Sequence, residues 1–157
     1  MNEAQFLRET FAGLPMAECN GCHGCASRCV GNLRITRTEF DAIRDYLGGG
    51  MYFPTVRTSR EMLAPCEFSE PDGPHCVIYP VRPLICRLFG IVPWLPCPLG
   101  RALPTVPDAA EIMQQYQQFE RRSFREWLHC SASHKLPAAR DAAMHTGRMQ
   151  TYRHGDS

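Results

Sequence analysis

Four cysteines are crowded into the segment CNGCHGCASRC, which runs from residue 19 to residue 29: Cys19, Cys22, Cys25 and Cys29. The residues between them are Asn, Gly, His, Ala, Ser and Arg, so the segment has almost no apolar side chains of its own to bury. Its glycines let the backbone turn tightly around a bound centre. The segment must be organised by cross-links or by metal, and disulfides, zinc and an iron–sulfur cluster are the three candidates.

The rest of the chain offers limited apolar material to fold around. Leu, Ile, Val and Phe together make up about a fifth of the residues, near the lower edge for a self-sufficient globule. Such a chain gains stability from disulfides or metal ions, and nine cysteines are present. Disulfides are rare in reducing compartments, and an odd number of cysteines cannot all pair. We therefore favour metal ligation, with a disulfide framework as the less favoured alternative.

Charge and the start of the chain bear on partners and location. There are 17 basic and 16 acidic residues, with no basic run or acidic tail. This balance argues against nucleic acid or an anionic membrane surface as a partner. The first segment, MNEAQFLRETFAGL, mixes charged and apolar residues, unlike a signal peptide, and no stretch is apolar enough to span a bilayer. We expect a cytoplasmic protein that works with a protein partner.

Hydrophobic periodicity predicts a helix on each side of the cysteine-rich segment. Residues 2–14 place apolar side chains at helical spacing, at Phe6, Leu7, Phe11 and Leu14. The segment ITRTEFDAIRDYLGGG predicts a second helix with Thr38 as its N-cap and Gly48 just past its end. The buried positions of this second helix are predicted to be Phe40, Ile43 and Leu47.

The C-terminal half predicts less regular structure. A short helix is predicted to begin at Pro83, and a longer C-terminal helix to span about residues 108–130. Residues 137–157 contain no Leu, Ile, Val or Phe and are predicted to form a flexible tail. The expected fold is a small α-rich domain with irregular loops over residues 1–136, organised around one or more cysteine-ligated metal centres.

The C-x2-C-x2-C-x3-C spacing of the first four cysteines favours an iron–sulfur cluster over zinc. Three cysteines at successive intervals of two residues can each reach a different iron of one cubane, whereas zinc sites more often use two separated pairs. The same spacing occurs in bacterial ferredoxins, where proline follows the fourth cysteine. Here Val30 follows Cys29, and no second run has this spacing. We expect an iron–sulfur cluster, most simply 4Fe-4S, with zinc as the alternative.

A second set of cysteines is spread along the chain: Cys66, Cys76, Cys86 and Cys97. Eight thiolates could form two four-cysteine centres, or one centre and spare thiols, and the sequence does not assign cysteines to centres. Cys29 could belong with the second set, as the ferredoxin precedent allows. Cys130 is expected to be a packed or free thiol. His23 and His75 are expected to lie near the ligands or to face solvent rather than to bind metal.

The segment CVIYPVRPLICRLFG, residues 76–90, carries a resemblance to a known family. Its phrase C-x-I-Y-x-x-R-P-x-x-C-R resembles that of the CxxCxxCC, or YkgJ-like, family of zinc- or iron-chelating cysteine clusters. The matching positions are Cys19, Cys22, Cys25, Cys66, Cys76, Ile78, Tyr79, Arg82, Pro83, Cys86, Arg87 and Cys97 with Gly100. The resemblance covers about residues 19–100 and implies metal binding without implying a reaction. The family usually ends its first cluster with two adjacent cysteines, which this chain lacks.

Two arginines, Arg82 and Arg87, lie close to Cys86 in the sequence. If a helix begins at Pro83, Arg82 lies one turn before Cys86 on the same side. Four thiolates around a divalent ion carry a net charge of about −2, so Arg82 and Arg87 would stabilise the centre and raise a cluster's reduction potential. The alternative is that both arginines form ordinary ion pairs with Glu67, Glu70 or Asp72.

These observations predict a metal-binding protein with one or two all-cysteine centres that acts as a redox or accessory protein. A structural zinc-binding interaction domain is one alternative, and an iron–sulfur enzyme with an open iron site for a small substrate is another. No serine triad, phosphate loop or dinucleotide fingerprint points to a different enzyme class. The predicted metal ligands are Cys19, Cys22, Cys25, Cys29, Cys66, Cys76, Cys86 and Cys97, with Arg82 and Arg87 close to the cofactor.

Overall fold

The domain is helix-rich, as the sequence predicted. The computed structural model describes residues 1–16, 22, 24–29, 31, 33–49, 66–70 and 75–133. Its elements are α1 (Glu3–Gly13), α2 (Arg37–Tyr46), α3 (Leu84–Arg87), α4 (Ala109–Tyr116) and α5 (Phe124–Ser133), with 3-10 turns at Gly24–Arg28 and Tyr79–Val81. Within these ranges no strand forms, and none of the helices combines the length and apolar character needed to cross a membrane. The tail predicted for residues 137–157 lies outside the described residues.

Helix α1 confirms the first predicted helix. The side chain of Asn2 caps it by accepting a hydrogen bond from the backbone N–H of Gln5 at 2.9 Å. Phe6 and Leu7 are buried on its inner side. The helix ends at Gly13, ahead of Pro15, which cannot continue a helical hydrogen-bond ladder.

Helix α2 begins earlier than predicted, because its N-cap is Thr36 and not Thr38. Thr36 and Glu39 form a capping box, in which the Thr36 N–H donates to the Glu39 carboxylate at 2.9 Å. The threonine-x-x-glutamate spacing is visible in the sequence and identifies the cap. The predicted end is confirmed, since Gly48 follows the last turn with φ of 86°, a conformation that favours glycine.

The predicted long helix over residues 108–130 is wrong, because the chain breaks it into α4 and α5. Between them, Arg122 pairs with Ile35 through two backbone hydrogen bonds of 2.8 and 3.0 Å. A continuous helix would need those backbone groups for its own ladder. Ser123 then starts α5, donating its N–H to the Glu126 carboxylate at 2.7 Å.

Two apolar clusters form the interior. The first packs α1, α3 and α4 together, with buried side chains at Phe6, Leu7, Leu84, Leu88, Ile91 and Tyr116. The second packs α2 against α5, with buried side chains at Ile35, Phe40, Ile43, Phe68, Ile78, Phe124 and Trp127. Each fully buried large side chain contributes about 1.5–3 kcal/mol. Cys66 belongs to the second cluster, and Cys29 and Cys76 pack against it, so this cluster supports cysteine-bearing loops.

The carboxylate of Glu39 ties the helices of both clusters together. It is 4 % exposed, and it accepts hydrogen bonds from the Leu84 N–H and the Tyr116 hydroxyl, both at 2.7 Å. One side chain on α2 thereby fixes the start of α3 and the end of α4. Because Cys86 follows Leu84 on the same short helix, this contact also positions a predicted metal ligand.

Candidate metal centres

Five cysteines from three separate segments line one cavity, which we call the deep thiol cavity: Cys25, Cys29, Cys66, Cys76 and Cys86. Its remaining wall is largely apolar and includes Leu33, Phe68 and Ile78. No disulfide joins any two of the eight cysteines that the structure describes. The structure thus gathers Cys25 and Cys29 from the first cysteine set with three members of the second.

Backbone contacts bring these segments together. The Cys66 N–H donates to the Cys29 carbonyl at 3.3 Å, which joins the loop after residue 65 to the first cysteine segment. Cys76 forms an antiparallel pair with Ser69. Cys86 lies on α3, whose first residue is held by Glu39. The positions of the thiols are therefore set by contacts between residues distant in sequence.

Burial changes the acid–base behaviour of these thiols. It raises the pKa of Cys29 and of Cys76, and it raises the pKa of Cys66 to about 12. The pKa of Cys86 is raised well above its ordinary value by burial first and then by the neighbouring thiols. At neutral pH the metal-free thiols are therefore protonated, and metal binding must displace their protons.

Arg82 borders the deep thiol cavity and is itself only 7 % exposed. Its Nε donates to the Tyr79 carbonyl at 3.1 Å, and its guanidinium lies 3.6 Å from the centre of the Tyr79 ring. Its positive charge partly offsets the effect of burial on the pKa values of Cys29, Cys76 and Cys86. A buried cation beside four thiols is well placed to balance the charge of an anionic thiolate centre.

Arg87 binds backbone carbonyls and packs on an aromatic ring. Its guanidinium donates to the carbonyls of Arg82 and Pro80 at 2.8 and 2.9 Å and lies 4.6 Å from the centre of the Phe11 ring. Burial, and after it the charge of Arg82, lowers the pKa of Arg87. Arg87 therefore stabilises the turn before α3. It borders neither thiol cavity.

The ion pairs considered for the two arginines do not form within the described part of the chain. Neither Arg82 nor Arg87 forms a salt bridge there with Glu67 or Glu70. Asp72, the third acidic residue considered, lies outside the described residues.

A second cavity, which we call the outer thiol cavity, is lined by Cys22, Cys25 and Cys97. Arg82 borders this cavity as well, and so does Arg101. Cys25 lines both thiol cavities. Cys97, the last member of the second set in sequence, therefore lies with the early cysteines.

The other candidate residues lie apart from these cavities or outside the described residues. Cys19 and His23 lie outside the described residues. His75 is exposed and borders neither thiol cavity. Cys130 on α5 accepts a hydrogen bond from Arg122 and borders neither thiol cavity.

The donor set suits zinc or iron, since both are bound by cysteine thiolates. Among the described residues, however, no three Cys, His, Asp or Glu side chains already converge as ligands of a single ion. The thiols stand around the cavities and do not meet at one point. A metal centre held here would be surrounded by buried and half-buried sulfur donors, apolar side chains and one buried arginine.

Comparison with known proteins bears on the same cysteines. The chain matches the family model CxxCxxCC, "Putative zinc- or iron-chelating domain", over residues 18–126. The match begins just before the first cysteine, takes in all the cysteines that line the two thiol cavities, and ends within α5. No curated protein and no solved structure matches the chain.

Proposed function

The chain belongs to the CxxCxxCC family of zinc- or iron-chelating domains, and we propose that it holds its metal as iron–sulfur clusters, in a redox or accessory role with a protein partner. The observation that carries this proposal is the arrangement of Cys29, Cys66, Cys76 and Cys86 around one buried cavity. These thiols share a cavity without converging on a single point.

The absence of convergence among the described thiols favours a cluster over a single ion. A tetrahedral zinc ion draws four sulfurs to about 2.3 Å from one point. A four-iron cluster instead gives each cysteine its own iron, so its ligands stand further apart around a shared centre. The ferredoxin-like spacing of Cys19, Cys22 and Cys25 independently favours the same chemistry.

The charge of Arg82 supports a redox role. A cluster ligated by four thiolates is anionic, and reduction adds a further negative charge. A buried guanidinium at the cavity wall stabilises the reduced state more than the oxidised state. The site therefore favours electron uptake at a higher potential than the thiolates alone would give.

The size of the cavities favours a protein partner over a small substrate. The deep and outer thiol cavities have volumes of about 20 and 10 Å³, far below the roughly 300–1,000 Å³ of ordinary ligand pockets. A cavity of about 420 Å³ beside Arg82 and Arg87 is lined by α1 and α2, and none of the described cysteines borders it. Electrons would therefore pass between the cluster and another protein.

A structural zinc domain is the second candidate, and the volume of the deep thiol cavity favours it. About 20 Å³ admits a single ion without displacing the walls, whereas a cubane would push them apart. In that case the four thiols would close around one ion and the domain would present a surface to its partner.

Metal analysis separates the two candidates. The protein is purified with strict exclusion of oxygen, and iron, zinc and acid-labile sulfide are measured per chain together with the visible spectrum. Iron and sulfide in matching amounts, with visible absorption that dithionite bleaches, are expected. Colourless protein with stoichiometric zinc and no sulfide would overturn the cluster proposal. The variant Cys130→Ser serves as the control and should retain the full metal content, because Cys130 borders neither cavity.

A further inference from the structure

The two thiol cavities divide the cysteines differently from their order in the sequence. The first set contributes Cys29 to the deep thiol cavity and Cys22 to the outer one, and Cys25 lines both. The second set contributes Cys97 to the outer thiol cavity and its other three members to the deep one. We propose that the chain holds two separate metal centres with these crossed ligand sets, on either side of Arg82. This inference rests on the metal binding of the proposed function and not on which metal is bound.

Cys29 ends the first cysteine segment and also contacts the segment that carries Cys66. The 3-10 turn Gly24–Arg28 ends with the Cys29 N–H donating to the Ala26 carbonyl at 3.3 Å. The Cys29 thiol donates to the Cys25 carbonyl at 3.3 Å, and its own carbonyl accepts from the Cys66 N–H. Cys29 is thus tied by its backbone to Cys66, a member of the deep set.

Close packing brings Cys97 to the early cysteines. A Cβ atom on Gly24 would lie 2.6 Å from Cδ1 of Leu99, so the first cysteine segment touches the loop that carries Cys97. Gly90 has φ of 86°, and a Cβ there would lie 3.3 Å from the Cβ of Cys97. The loop also closes on itself, with the Gly100 N–H donating to the Cys97 carbonyl at 3.0 Å.

Arg82 is the wall that the two cavities share. Two anionic centres at short range would repel each other in a buried site. A buried guanidinium between them reduces that repulsion, which gives a reason for an arginine with no carboxylate ion pair among the described residues.

Paired substitutions test the division. Metal per chain is measured for two double variants, Cys29→Ser with Cys86→Ser and Cys22→Ser with Cys97→Ser. Each pair lies within one proposed centre, so each double variant should retain about half of the metal. The cross pair Cys86→Ser with Cys97→Ser should lose nearly all of it. Cys130→Ser is the control and should retain all of it.

Grouping by sequence order, or a single shared centre, predicts a different result. In either case both double variants that lie within a proposed centre would lose all their metal, and that result would overturn the inference. Circular dichroism shows whether a variant has kept its helices. If Cys86→Ser unfolds the protein, Cys76→Ser replaces it, since Cys76 is less deeply buried. Finding zinc in place of iron would overturn the proposed function and leave this division intact.

Discussion

Replacing Glu39 with glutamine should destabilise the domain more than its single-atom change suggests. The substituted side chain would keep the shape of the original but carry one oxygen and one amide nitrogen. In the structure both carboxylate oxygens accept hydrogen bonds: Oε1 from the Leu84 N–H, and Oε2 from Thr36 and the Tyr116 hydroxyl. An amide can accept at only one of these positions.

The magnitude follows from the group left without an acceptor. If the amide oxygen takes the Oε2 position, the Leu84 N–H faces an NH2 group. If it takes the Oε1 position, the Thr36 N–H loses its acceptor. Either arrangement leaves at least one buried donor unsatisfied, which costs about 1–3 kcal/mol. That loss is a large fraction of the roughly 5–15 kcal/mol that stabilises a typical domain.

Urea unfolding followed by circular dichroism on the metal-loaded protein measures this loss. The matched control is Glu126→Gln, because Glu126 occupies the same capping position on α5 beside Ser123 but is exposed. Glutamine also serves in capping boxes, so the control should unfold close to the original midpoint. Equal midpoints for the Glu39 and Glu126 variants would refute the argument that Glu39 ties the two clusters together.

Two further predictions concern the cavities. Arg82→Gln should lower the reduction potential measured by anaerobic titration, because it removes a positive charge that stabilises the reduced state. The control variant, Arg44→Gln, removes the same charge from the surface of α2. Equal reduction potentials in the two variants would contradict the role of Arg82. Gly24→Ala should speed metal loss from the outer centre during a chelator challenge, because the new Cβ would displace Leu99. Gly13→Ala is the control and should lose metal at the original rate, because no atom lies within 4 Å of its new Cβ. Identical loss rates in the two alanine variants would contradict the packing argument.

Local signals predicted the helices best. The apolar positions of α1 and the glycine after α2 follow from spacing and backbone preference within one segment. The cap at Thr36 was also predictable, from the glutamate three residues later. The break between α4 and α5 was not, because it depends on the pairing of Arg122 with Ile35, which joins residues far apart in sequence.

The sequence predicted the type of ligand in the candidate site, but it did not predict which cysteines share a cavity. The cysteine spacing and the C-x-I-Y-x-x-R-P-x-x-C-R motif that contains Cys86 indicated metal binding by thiolates. Which thiols share a cavity depends on contacts such as Cys66 with Cys29 and Gly24 with Leu99. These contacts leave no periodic signal. The different surroundings of Arg82 and Arg87 also cannot be predicted from a sequence in which one precedes and the other ends the same short helix.

The crossed arrangement of the cysteines links the two centres through the entropy of the chain. Closing the outer centre in an unconstrained chain brings Cys25 to Cys97 across a loop of about 72 residues. Once the deep centre joins Cys29 to Cys86, the remaining path is only about 15 residues. The cost of loop closure falls by about 1.4 kcal/mol, or roughly tenfold in affinity. Filling one centre would therefore promote filling of the other, so that loading is cooperative even without direct contact between the two metals.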